Sequence, residues 1–123
     1  MGGKGWLRSA LLLILLPAAL AAGPSNPSAQ VWASRYNGPA NGNDVANAMS
    51  VSPDGARVFV TGSSAGPTGS SDYATVAYDV ATGAPLWRAR YNGPGNNADI
   101  AKAIAVSPGG SAVFVTGVAR MTA

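Results

Sequence analysis

The chain has 123 residues, with eight lysines and arginines, five acidic residues that are all aspartate, and neither histidine nor cysteine. That length supports one small domain, and the missing cysteines exclude a disulfide-stapled one. Lacking His, Glu and Cys, the chain has neither the usual general base nor the commonest zinc ligands, and a formal charge of +3 offers little to attract nucleic acid.

Residues 1–22 have the pattern of a signal peptide. Lys4 and Arg8 supply the positive end, Leu11 to Leu16 the apolar centre, and Ala19-Leu20-Ala21 a small-residue cleavage site. The apolar run from Ala10 to Ala22 is shorter than the roughly 20 residues a membrane-crossing helix needs, and Pro17 interrupts it. No stable membrane insertion is therefore expected after cleavage, and no cysteine follows that could take a lipid. Removing this segment leaves six basic residues against five aspartates. Residues 23–30, with Pro24 and Pro27 among small polar residues, read as a flexible spacer. The expected location is exported, in the periplasm or outside the cell.

From Val31 onward the sequence repeats. Val31–Gly62 aligns with Leu86–Gly117 at a constant offset without a gap, and 19 of the 32 paired positions are identical. The shared framework pairs Trp32 with Trp87, Arg35-Tyr36-Asn37-Gly38-Pro39 with Arg90-Tyr91-Asn92-Gly93-Pro94, Asn41 with Asn96 and Asp44 with Asp99. It closes on Ser-Pro and Val-Phe-Val-Thr-Gly segments common to both copies.

In chain order, the predicted elements begin with a strand over 31–37. Strands over 46–51, 57–61, 72–79 and 85–91 follow, each bounded by Gly, Pro, Asn or Asp. Ser52-Pro53-Asp54-Gly55 and Ala81-Thr82-Gly83 supply turns, with proline setting one dihedral and glycine accepting a positive one. Two further strands fall within 99–117. Glycine and proline recur too often for helix, and no apolar stripe persists at helical spacing. Val58-Phe59-Val60 is apolar in both directions, as in a sheet covered on both faces.

Four consecutive antiparallel strands make one propeller blade. The expected fold is thus all-β after an N-terminal signal helix: 31–37 as the last strand of one blade, 44–92 as a full blade and 99–117 as the first two strands of another. About one and three-quarter blades cannot close, since propellers use roughly four to eight.

Ala77-Tyr78-Asp79-Val80-Ala81-Thr82-Gly83-Ala84-Pro85-Leu86-Trp87 resembles the tryptophan-docking motif of pyrroloquinoline-quinone-type propellers, with Ala84 where that family often has lysine. Ser52-Pro53-Asp54-Gly55 followed by Val58-Phe59-Val60-Thr61-Gly62 is similar to the repeat of bacterial surface propellers of the YVTN type. The resemblance covers nearly all of the chain after the signal segment and implies a bacterial exported protein. It also implies structural roles for Asp79, Thr82, Gly83 and Trp87, and the repeat positions of Trp32, Tyr36 and Tyr91 suggest packing between blades. A quinone-dependent dehydrogenase would use a glutamate ligand and vicinal cysteines, for which this chain has no candidates. No cofactor and no catalytic residue are expected.

The loops carrying Asn41 and Asp44, and Asn96 and Asp99, offer weak oxygen ligands for calcium. Turn chemistry accounts for them better, because Asn and Asp bond their own backbone and tolerate left-handed dihedrals. Arg35 and Arg90 either stack on the neighbouring rings or pair with Asp44 and Asp99. The function expected is that of an exported, non-enzymatic binding or scaffold module, a truncated propeller that assembles with itself or with other propeller chains through exposed strand edges. The alternative is a fragment of a quinone-dependent propeller oxidoreductase.

Overall fold

The computed structural model describes residues 31–121, and the expected signal peptide (1–22) and spacer (23–30) lie outside them. Among the described residues there is no helix, and so none long and apolar enough to cross a membrane.

Four strands, β1 (Asp44–Val51), β2 (Arg57–Ala65), β3 (Ser71–Asp79) and β4 (Pro85–Tyr91), form an antiparallel sheet in sequential order. A second antiparallel pair, β5 (Ile100–Val106) and β6 (Val113–Val118), forms a separate two-stranded sheet, and neither sheet closes. The strands outrun the limits read from sequence chiefly because β2 and β3 continue pairing to Ala65↔Ser71, which shortens their connection to 66–70.

The hairpin between β1 and β2 shows how the sequence sets the register. Gly55 donates its N–H to Ser52 O and has a φ of 71° that glycine adopts without a Cβ penalty. Ser52 and Arg57 then exchange backbone and hydroxyl bonds that start the ladder. The second copy repeats it: Gly110 has φ 71° and bonds Ser107 O. Both copies also carry a β-bulge at the same repeat position, between Ala46 and Ala48 and between Ala101 and Ala103.

Alternation divides the four-stranded sheet into two faces. Val58, Val60, Val76 and Tyr78 occupy one, and Val58, Val76 and Tyr78 are its buried cluster. Phe59, Thr61, Tyr73, Thr75, Ala77 and Trp87 occupy the other. The two-stranded sheet lies against this second face, where Asn47 Nδ2 donates to Ala101 O at 2.8 Å and Val115 shares a groove with Tyr73 and Thr75.

Residues 32–37 cover part of the first face. Their side chains alternate between half-buried and exposed, with Trp32, Ser34 and Tyr36 turned inward, yet they form no ladder. The strand expected over 31–37 is therefore corrected to an unpaired strap. A strand needs a neighbour for its N–H and C=O groups, and no described strand lies beside this one.

Candidate functional site

The strap is held by side chains, and Trp32 is its main anchor. The indole Nε1 donates to Val80 O at 2.7 Å, and its ring lies 6.4 Å from that of Tyr78. It also rests on Gly83, where a Cβ would come within 2.6 Å of the ring. Gly83 has φ 73° and donates to Asp79 O, so only a residue without a side chain both makes this turn and admits the indole. Asp79 Oδ1 fixes the turn by accepting from the Thr82 N–H and hydroxyl, both at 2.8 Å. The Thr82 hydroxyl bond comes first among the causes that hold the Asp79 carboxyl below its ordinary value, followed by the Thr82 N–H. Asp79, Thr82 and Gly83 are thus brought together as one receptor for Trp32.

Trp87, the repeat counterpart of Trp32, lies on the opposite face with its ring 5.7 Å from Phe59, and remains 39% exposed. Tyr36 faces the strap side and accepts from Arg90 Nη1, whereas Tyr91 pairs edge-on with Tyr73 at 5.6 Å and is largely open to solvent. The repeated aromatics therefore do not gather into one platform.

Arg90 does not pair with Asp99, as one of its two expected roles had it. Its Nη2 bonds Asp72 Oδ2 at 2.9 Å and the carbonyls of Ser64 and Ala65, while Nη1 bonds Ser64 Oγ and Tyr36 Oη. Burial works against the charged guanidinium, but the bonds to Asp72 and Tyr36 outweigh it and hold its pKa above the ordinary value. Strand register makes the choice: Arg90 lies opposite Ala74, so Asp72 is its diagonal neighbour on the same face. Arg35 remains exposed on the strap.

The two Asn/Asp loops are copies in geometry as well as sequence. Asn37 Nδ2 donates to Asn41 Oδ1 and Asn92 Nδ2 to Asn96 Oδ1. Asn41 and Asn96 have φ of 51° and 48°, and Asp44 and Asp99 each accept the N–H of the loop glycine, Gly38 or Gly93. Asn41 Oδ1, Asn96 Oδ1 and one carboxylate oxygen each of Asp44 and Asp99 are thus engaged in bonds within their loops. The copies differ at one atom: Asp99 Oδ1 accepts the Arg120 N–H, while Asp44 Oδ1 is buried without a partner among the described residues. Asp44 borders a cavity of about 200 Å³ shared with Ser34, Tyr36, Val60, Val76 and Tyr78.

No protein-family model matches the chain, and neither a curated protein nor a solved structure does.

Proposed function

We propose that this chain is an exported, non-enzymatic repeat module of propeller type, whose work is to bind or scaffold other β-sheet surfaces. The observation that carries the reading is the docking of Trp32 on Val80 and Gly83, by which one repeat seats its aromatic on the turn of the next. Apolar side chains left uncovered on each sheet support it further, with Met49 of the four-stranded sheet and Phe114 of the two-stranded one each 62% exposed. Among the buried polar side chains, Thr61 and Thr75 bond each other and the sheet backbone, and Ser64 and one oxygen of Asp72 accept from Arg90. Bonds of that kind hold strands together, which supports a structural role.

Two measurements test this reading. Mass spectrometry of the protein recovered from outside the cytoplasm of a bacterial host is expected to show a new N-terminus near Ala22. Titration with pyrroloquinoline quinone, followed by tryptophan fluorescence and dye reduction, is expected to show neither binding nor turnover. A saturable quinone affinity would replace this reading with that of an oxidoreductase fragment.

A further inference from the structure

The two repeats place identical residues in opposite environments. Phe59 in β2 is 1% exposed, and Phe114, its repeat counterpart in β6, is 62% exposed. Phe59 is covered by the Trp87 ring and by the two-stranded sheet, which lies on its face with the side that carries Ile104 and Val115. Met49 is the repeat counterpart of Ile104 and is itself 62% exposed, with Val51 open beside it on the same face. The uncovered Phe114 face and the uncovered Met49 face are therefore the two halves of a joint that the chain already makes once, internally. They point away from each other across the molecule, with the body of the four-stranded sheet between them, so one copy cannot bring its own halves together.

We propose that they meet between copies: the β5–β6 sheet of one copy lies on the Met49–Val51 side of the next, against the cavity lined by Val60 and Val76. This rests on the reading of the chain as a propeller-type module and names its partner as a second copy. The internal joint supplies the details. Phe114, Ala103 and Ala105 take the places of Phe59, Ala48 and Ser50. Asn47, at the first bulge, bonds Ala101 O across the internal joint. Lys102 is its counterpart at the second bulge and has an ammonium to donate to Ala46 O of the next copy. The strap of that next copy stays where it is, over Tyr78 and Val80, because the incoming strands cover the β1 side of the face. Incoming strands and resident strap together form one composite layer over that face.

Such a contact is head-to-tail, so it builds a ring if the rotation closes. Each copy then contributes its own four-stranded sheet and one composite layer, and closed rings of roughly four to eight such layers take about two to four copies.

The absence of cysteine makes the test clean. The full chain is prepared as Met49→Cys and as Phe114→Cys, and the two are mixed with a short bis-maleimide. The expected result is a cross-linked dimer in the mixture and none in either variant alone. Sedimentation of the unmodified chain is expected to show two to four copies, and an open polymer with the same cross-link would equally support the joint. Phe114→Asp and Met49→Asp are each expected to give a monomer whose far-UV circular dichroism is unchanged. Cross-linking of Phe114→Cys with itself would mean a two-fold contact and overturn the proposal. So would a monomer at every concentration, although the non-enzymatic reading would then survive, since that falls only on quinone binding.

Discussion

Gly83 and Gly55 share nearly the same backbone, with φ of 73° and 71°, but only Gly83 lies beneath an aromatic ring. Around Gly55 a Cβ would meet nothing, so Gly55→Ala tests the left-handed conformation alone and is expected to cost about 1 kcal/mol. Gly83→Ala adds a clash with the Trp32 indole and is expected to cost about 3 kcal/mol. Urea denaturation of Gly83→Ala in a Trp32→Ala background separates the two effects: with the ring gone, the penalty is expected to fall to that of Gly55→Ala. Additive costs would show that Trp32 does not sit on this turn in solution. Asp79, in the same turn, gives a pH signature. Its carboxyl is held below the ordinary 3.8 by the Thr82 hydroxyl and N–H, so the charged form is favoured by folding. That contribution is present above 3.8 and is lost as pH falls through the lower folded value. Urea midpoints followed from neutral to acid pH are expected to fall less steeply for Asp79→Asn than for the parent chain.

Between strands, Arg90 links β4 to β2 and β3 and carries the strap through Tyr36. Asp72 is nearly buried and Arg90 about a quarter exposed, so solvent screens the pair only in part. Arg90→Ala is expected to cost about 2–4 kcal/mol in urea denaturation, because it strands the Asp72 carboxylate and frees the Ser64 and Ala65 carbonyls. Arg90→Lys is expected to recover little, since a point ammonium lacks the fork that reaches Asp72, Ser64 and Tyr36 together. This pair also shows where sequence reasoning stops. Turn residues announce every hairpin, and the constant spacing between the two repeats carries the loop geometry of Asn41 and Asp44 onto Asn96 and Asp99. Partner choice across strands depends on register, which the pattern of apolar residues sets only to within a residue, and so Asp72 does not stand out above Asp99. The strap fails for a different reason: residues 31–37 have the composition of a strand, but composition supplies no neighbour to bond.

At the level of the whole molecule, repetition foretells what each residue type does and leaves open which copy is covered. Phe59 and Phe114 hold the same place in their repeats, and burial separates them because β5–β6 and the Trp87 ring pack on one and nothing described lies over the other. The same asymmetry makes stability a function of concentration. A contact made only by folded copies stabilises them by mass action, so a hundredfold rise in protein concentration is expected to add up to about 2.7 kcal/mol per joint. For a folded unit of this size that corresponds to a rise in Tm of roughly 10 °C or more. Differential scanning calorimetry over such a series is expected to show the shift in the parent chain and a flat Tm in Phe114→Asp. Because the faces that meet are mostly apolar, with Lys102 at the joint and Asp44 at the border of its cavity as the charges the joint brings in, the shift is expected to persist in about 0.5 M salt, where exposed ion pairs are screened beyond about 4 Å. A shift that vanishes with salt would instead place the contact on charged groups such as Arg35 and Arg88, and would move the interface to the outer edge of the sheet.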